Sequence, residues 1–284
     1  MIIPEYCYEN GLLFNHDSLV LLKNIKDNCI DLVFADPPYN LKKAKWDKFA
    51  SPEEYIQWSK EWIAEAARVL KPSGSLFVCG FSEILADLKR PAMEYFNYCK
   101  WLVWFYKNKA NLGQDWGRSH ESALHLRKSK EFRLNIDDIR IPYGQHTLKY
   151  PAHPQAQSSQ YNQGQAPVEP WSPHPLGAKP KDVLEIPTLC NGMVEKTSHP
   201  TQKPEELLRK IVLSSTKIGD IVMDPFSGSG SALVASEQLG RKWIGCDINA
   251  EYNSWAINRL NQISHRSIKE WIEFDFNTLK NRRL

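Results

Sequence analysis

The sequence predicts a doubly wound, mostly parallel α/β sheet interrupted by an insertion. Apolar, β-rich runs alternate with amphipathic helical segments, the pattern of βαβ units. Two of those runs end in acidic turns, Asp36-Pro37-Pro38-Tyr39 and Asp224-Pro225-Phe226-Ser227-Gly228-Ser229-Gly230. Between the two halves lies a stretch with no apolar period. In open α/β sheets ligands bind at the carboxyl edge of the strands, so both turns are expected at a binding edge.

In chain order, Ile30–Ala35 (IDLVFA) reads as a buried strand. Ser51 offers a helix N-cap, Pro52 suits the first helical position and Glu54 completes a capping box. Tyr55, Trp58, Trp62, Ala66 and Val69 then recur at helical spacing as a core-facing stripe. The helix is expected to stop at Leu70-Lys71-Pro72, with Gly74 turning into a strand over Ser75–Cys79. Cys99–Tyr106 reads as a strand covered on both faces, and Ser122–Leu126 as a short further strand. From Gly144 to Pro180 the chain holds seven prolines and six glutamines with His153 and His174, so a long or flexible loop is expected. Order resumes near Asp182: a helix over Pro204–Ser215, a strand over Ile221–Met223, and a helix over Ser231–Leu239 closed by Gly240. A strand over Lys242–Cys246 reaches Asp247, and a last helix covers Ala250–Ser264. The expected organisation is 1–106 and 191–284 as two halves of one domain, with 107–190 between them.

The bulk composition excludes several classes. With 284 residues and 42% apolar content the chain can build one large α/β core. It has no run near the ~18–20 apolar residues of a membrane span and no secretory pattern at its start, so a cytoplasmic protein is expected. Cys7, Cys29, Cys79, Cys99, Cys190 and Cys246 form no Cys-x-x-Cys pair, which argues against zinc and against a disulfide framework. The net charge of +3 is mild, but Lys42, Lys43, Lys45 and Lys48 crowd behind the first turn, and Arg127, Lys128, Lys130 and Arg133 follow later. Each cluster is either a solvated face or a polyanion contact.

Strand, Gly-rich turn, helix, strand and acid is the layout of a nucleotide half-site. Asp247 falls 19 residues after Gly228, placed to accept hydrogen bonds from two ribose hydroxyls. A dinucleotide fingerprint would require a small residue at 233, where Leu233 stands. Asp224 before the loop suits a cation better than a pyrophosphate, and S-adenosylmethionine carries both an ammonium and a sulfonium. The Asp36–Tyr39 turn suits an aromatic amine. Such an amine attacks carbon poorly because its lone pair is delocalised into the ring. Asp36 and the Pro37 carbonyl can accept its two N–H bonds and aim the lone pair, while Tyr39 stacks on the ring. Together the turns imply methyl transfer from S-adenosylmethionine to the exocyclic amine of a base, with no metal. A base inside a duplex cannot reach such a pocket, so a DNA substrate implies a flipped nucleotide.

These residues resemble the β-class amino-methyltransferases of DNA, chiefly the adenine-specific enzymes of restriction–modification systems. The resemblance runs over most of 11–143 and 182–262. It rests on Asp17-Ser18-Leu19, the run from Asp31 through Asp36-Pro37-Pro38-Tyr39-Asn40, Trp46-Asp47, Leu70-Lys71-Pro72-Ser73-Gly74-Ser75-Leu76, His199-Pro200-Thr201-Gln202-Lys203-Pro204 and the Gly-rich loop, with the catalytic turn first in the chain. It implies a Rossmann-like methyltransferase sheet with an inserted target-recognition region. By the same resemblance Asp36, Pro37, Pro38 and Tyr39 hold the target adenine. Asp224, Phe226, Gly228, Ser229 and Gly230 wrap the methionine end of the cofactor, and Asp247 binds its ribose. Thr201 and Lys203 meet its carboxylate, and Asp17 reads its adenine or else caps a helix. Related cytosine-N4 enzymes commonly carry Ser in place of Asp36, which favours adenine. Sequence recognition is expected within 107–190, with Arg118 or Arg133 reading guanine edges, or else 144–180 is a spacer. Implied partners are double-stranded DNA, with a homodimer and a separate cognate restriction endonuclease left open. The rival functions are a cytosine-N4 enzyme, an RNA or protein methyltransferase, an inactive nucleic-acid-binding module and, outermost, an NAD-dependent dehydrogenase.

Overall fold

The computed structural model describes residues 2–40, 47, 49–108, 114, 116–151, 172–264 and 266–282. Lys42, Lys43, Lys45, Trp46, Lys48 and the stretch 152–171 therefore lie outside the described residues.

The chain runs β1 (Tyr6–Cys7), β2 (Gly11–Asn15), α1 (Ser18–Asn24), β3 (Ile30–Ala35), α2 (Pro52–Val69), β4 (Leu70–Gly80), α3 (Ser82–Ala92), β5 (Tyr98–Phe105) and β6 (His120–Arg127). It continues through α4 (Gln145–Lys149), β7 (Val183–Glu185), α5 (Glu205–Ser215), β8 (Ile221–Asp224), α6 (Ser231–Gln238), β9 (Lys242–Asp247), α7 (Ala250–Leu260) and α8 (Ile268–Arg282). One sheet holds all nine strands in the order β1-β2-β9-β8-β3-β4-β6-β5-β7. The central run β2-β9-β8-β3-β4 is parallel, as the alternating strand and helix pattern predicts. From β3 the chain crosses through α2 to β4 on one side. From β8 it crosses through α6 to β9 on the other. The carboxyl ends of β3 and β8 thus meet where the winding reverses.

Local chemistry sets these elements. Ser51 accepts the Glu54 amide at 3.2 Å, as an N-cap should. The return bond of the capping box goes one residue earlier, from the Ala50 amide to Glu54 Oε2 at 2.6 Å. Tyr55, Trp62, Ala66 and Val69 are buried against a core shared with Val33, Leu76 and Met223. Helix α2 ends at Val69 with Leu70 as its C-cap, where the sequence predicts the stop. The turn expected at Gly74 is instead continuous strand: β4 starts at Leu70, and its register against β3 slips between Ile30 and Leu32. A bulge absorbs what reads locally as a turn. The strand β5 is only partly covered, because it sits one place from the sheet edge. Helix α7 ends at Leu260 rather than Ser264. Helices α1, α3 and α8 carry weak sequence signals: α1 spans seven residues, α3 contains Pro91, and α8 exposes Phe274 beside buried Trp271.

Helix α8 is fastened to α5 by a buried ion pair. Arg209 donates from Nη2 to Asp275 Oδ1 at 2.7 Å and from Nε to Oδ2 at 2.9 Å, while its guanidinium lies 4.3 Å from the Trp271 ring centre. Replacing Asp275 by alanine leaves a buried guanidinium without its bidentate partner, which costs about 3–5 kcal/mol. Urea unfolding of D275A should show that loss; a change under about 1 kcal/mol would mean that α8 is held by its apolar contacts and by the Arg282–Glu206 pair instead.

The stretch 107–190 is not one separate body. β6 runs inside the sheet between β4 and β5, and β7 closes the sheet at its edge. The chain leaves β6 at Arg127 and is anchored by Asn135 to the carbonyls of Leu213 and Thr216. It passes a 3₁₀ turn at Asp137–Ile139 and reaches a bridge between Ile141 and Ala178. That bridge is the root of the Pro- and Gln-rich segment.

Candidate active site

Leu32 pairs with Val222 and Val33 with Met223, so the two turns, far apart in sequence, emerge side by side at the switch point. Beyond β8, the pairing of Asp224 with Gly245 brings Asp247 to the same edge, and Asn15 opposite Asp247 brings Asp17 there too. Between them lies a cavity of about 290 Å³. Asp36, Pro37, Pro38 and Tyr39 line it, as do Asp17, Thr201, Lys203, Asp224, Phe226, Gly228, Ser229 and Asp247. Gly230 does not. Its backbone is left-handed (φ +76°), and an added Cβ would lie 2.6 Å from Ala256 Cβ, so this glycine serves the packing of α6 on α7.

On the β3 side the Tyr39 amide donates to Asp47 Oδ1 at 2.7 Å, which fixes the Pro-Pro turn. The Tyr39 hydroxyl donates to Asp36 Oδ1 at 2.5 Å, and its ring packs on Phe81 at 5.3 Å. Lys203 Nζ donates to Asp36 Oδ2 at 2.7 Å and lies 3.3 Å from Glu121 Oε2. Burial opposes the Lys203 ammonium, but the Asp36 and Glu121 carboxylates outweigh it and push its pKa above the ordinary lysine value. Burial and then the Asp36 charge push the Tyr39 phenol well above its usual range, so it remains a donor.

On the β8 side Gly228 is left-handed (φ +49°), and a Cβ there would come within 2.9 Å of His199 Nε2. The Gly228 amide donates to Asp247 Oδ2 at 2.9 Å, while Asp247 Oδ1 accepts the Asn249 amide at 2.8 Å. Asp224 is 2% exposed and accepts only the Phe226 amide, at 3.0 Å, with no ion pair among the described residues. Burial, reinforced by the Asp36 and Asp247 charges, pushes its carboxyl well above the usual carboxylate range. A buried acid without a counter-cation, beside a glycine cradle, fits a cationic ligand. The Phe226 ring meets Trp58 at 5.7 Å and Trp62 at 5.3 Å, forming an aromatic wall with Phe49.

Some placements follow one of the expected readings and others differ. Lys203, expected at the cofactor's carboxylate, points its ammonium at the Asp36–Tyr39 turn and touches Asp36 and Tyr39. Asp17 caps α1 through Oδ1, which accepts the Val20 amide at 3.0 Å, and lines the cavity as well. Arg133 is paired with Asp220, ahead of β8 at the amino edge of the sheet, so it faces away from the site and cannot read bases there. Arg118 stays at the binding edge but is engaged by Glu83 at 2.6 Å and by the Phe81 ring at 3.8 Å. Glu121 and Arg259 escaped sequence reasoning. Arg259 donates to the Ser229 carbonyl at 2.7 Å and to Glu205 at 2.8 Å, bracing the Gly-rich loop from α7. Neither belongs to a local motif.

Comparison with known proteins places this geometry. The family model described as DNA methylase matches residues 30–258. The chain is 34% identical over 266 residues to the DNA adenine methyltransferase YhdJ of Escherichia coli (strain K12), covering 92% of this chain and 86% of that one. It is 34% identical over 251 residues to the Type II methyltransferase M.HpaI of Haemophilus parainfluenzae, covering 86% of this chain and 72% of its relative. Among solved structures, PvuII DNA methyltransferase (cytosine-N4-specific) superposes with a TM-score of 0.69 at 19% identity, covering 99% and 96% of the two chains. The M1.HpyAVI–SAM complex superposes with a TM-score of 0.58 at 22% identity, covering 88% and 99%. At such identities the superpositions speak for the fold alone, and the sequence relatives speak for the family. With its two turns joined at one cavity and the family model matched from strand β3 to helix α7, the chain belongs to the DNA methylase family, the β-class amino-methyltransferases that its sequence resembles.

Proposed function

We propose that this chain is an S-adenosylmethionine-dependent, site-specific DNA methyltransferase acting on the N6 amine of an adenine flipped out of double-stranded DNA. The observation that carries the reading is the meeting of the Asp36–Tyr39 turn and the Asp224–Ser229 loop in one cavity at the switch point. When bound, the cofactor supplies an electrophilic methyl group on a cationic sulfur. Asp224 provides a buried carboxylate for the cofactor's ammonium, Gly228 gives backbone access, and Asp247 offers its remaining lone pairs to ribose hydroxyls. Asp36 accepts one N–H of the adenine amine and the Pro37 carbonyl the other, so the lone pair points at the cofactor side; Asp36 or water then takes the departing proton. Tyr39 supplies the stacking face. Recognition is assigned to the described parts of 107–190 at the binding edge together with the segment rooted at Ile141 and Ala178. A homodimer and a separate cognate endonuclease belong to the same reading, and sedimentation with and without DNA tests the first. Among the described residues no helix is long and apolar enough to cross a membrane.

Labelled S-adenosylmethionine and unmethylated bacterial genomic DNA provide the test, with the product identified after digestion to nucleosides. N6-methyldeoxyadenosine is expected. N4-methyldeoxycytidine would keep the mechanism and overturn the base, and bound cofactor with no labelled DNA would favour another substrate or an inactive module.

The elevated Asp224 carboxyl adds a pH signature. Its protonation removes the negative charge facing the cofactor's cation. Cofactor affinity should therefore fall as pH drops through the raised pKa and recover above it. Titration calorimetry across the pH range in which the protein stays folded should show this for the wild type and a weaker, flatter profile for D224N. A wild-type profile as flat as the variant's would remove Asp224 from the cation site.

A further inference from the structure

We propose that Glu121 and Lys203 form a positioning pair that holds the Asp36 carboxylate and the Tyr39 ring ready for the target amine. This rests on the methyl-transfer reading above. Three parts of the chain converge here: the turn after β3, the start of strand β6, and the run ahead of α5. Lys203, 4% exposed, places its ammonium 2.7 Å from Asp36 Oδ2, 3.3 Å from Glu121 Oε2 and 3.3 Å from the Tyr39 oxygen. The Tyr39 hydroxyl proton goes to Asp36 Oδ1 at 2.5 Å, and Glu121 Oε2 stands 3.5 Å from the same hydroxyl. Both Asp36 oxygens are thus tethered, yet each keeps a further lone-pair direction for an incoming N–H.

Charge explains why two acids are present. Asp36 and Lys203 alone would neutralise each other, leaving nothing to balance an amine that becomes cationic. With Glu121 the cluster of two carboxylates and one ammonium keeps a net negative charge. Glu121 also takes up one of the three ammonium N–H donors, which stops Lys203 from swinging fully onto Asp36 and blocking the amine. The groups facing this cluster are Cys79 from β4, Tyr106 after β5, Asp224 from β8, and His199. Burial holds the Cys79 thiol well above its ordinary range and lowers His199 to about 4, so both are neutral near pH 7.

The test compares E121Q, K203M and the double variant by single-turnover methylation across pH, with cofactor Kd and thermal unfolding alongside. K203M should lose about 100-fold or more in rate at saturating cofactor, since a misplaced acceptor alone can cost that much. Its acidic limb should move to higher pH, because two neighbouring carboxylates then lack the cation that favours their charged forms. E121Q should lose about tenfold with no upward move of the limb. The double variant should return toward the wild-type limb, having one carboxylate fewer. Cofactor Kd should stay within about threefold in all three, because the pair touches Asp36 and not the Gly-rich loop. Should K203M fail to fold, K203R and E121Q carry the same comparison, with K203R keeping the limb in place.

Rates that fall only in step with thermal stability, with an unmoved limb, would reduce the pair to a structural tie and overturn the proposal. So would K203M weakening cofactor binding with an unchanged rate at saturation. An active wild type with indifferent variants overturns this proposal alone. A wild type that transfers no label to DNA overturns the methyl-transfer reading and this one with it.

Discussion

Replacing Asp36 by alanine should lower DNA methylation by about 10³-fold or more while cofactor binding changes only a few-fold. Asp36 is a side-chain acceptor at the end of β3, held by both Tyr39 and Lys203, and it lines the same cavity as the Gly-rich loop. Removing it takes away the acceptor proposed for the amine's N–H and leaves the buried Lys203 ammonium with Glu121 as its remaining carboxylate. The variant Asp36→Asn separates these effects. It keeps the shape and one acceptor oxygen, but its amide also donates, so it should recover stability without recovering the rate. Stopped-flow or quenched single-turnover assays, with calorimetry for the cofactor, read both quantities. A D36A enzyme within tenfold of wild type would end the assignment of this turn to catalysis.

Replacing Asp247 by alanine should do the reverse, weakening the cofactor about 100-fold before it affects the rate at saturation. Charge-assisted hydrogen bonds each contribute about 1.5–3 kcal/mol, and two ribose hydroxyls are at stake. Tertiary structure adds a second reason. Asp247 holds the Gly228 amide at 2.9 Å and the Asn249 amide at 2.8 Å, so its loss also frees the loop that forms the cradle. Gly228 itself offers an independent check. Alanine there must adopt φ +49° and push against His199 Nε2, so G228A should weaken the cofactor with Asp247 intact. An unchanged Kd in D247A would remove the ribose assignment and leave Asp247 a purely structural anchor.

Sequence legibility followed how local the determining forces are. The buried strand Ile30–Ala35 and helix α2 could be read because apolar period, N-cap and proline all lie within a few residues of one another. Helix α8 could not, since its burial depends on Arg209, Trp271 and Asp275 meeting across the fold. The Lys71–Gly74 stretch has turn residues but lies within β4 at its register slip, because the pairings on either side of it, Leu70 with Ile30 and Ser75 with Leu32, hold it in the strand. The Asp36–Tyr39 turn and the Gly-rich loop were each visible as chemistry, since their residue types and spacing serve a ligand directly. Lys203 was visible only as part of the His199–Pro204 run, and its partner could not be named from that run. Glu121 carried no signal, being one acid in a strand of ordinary composition.

The sequence by itself determined the alternation of strands and helices, the order of the two turns along the chain, and the kinds of group each turn can bind. Tertiary structure decided which of those groups share a cavity and which charges face one another. The reason is the parallel pairing of β3 with β8. It sets Asp36 beside Asp224 with a register that no local stretch encodes, and the antiparallel β6 then carries Glu121 to the same edge as Lys203.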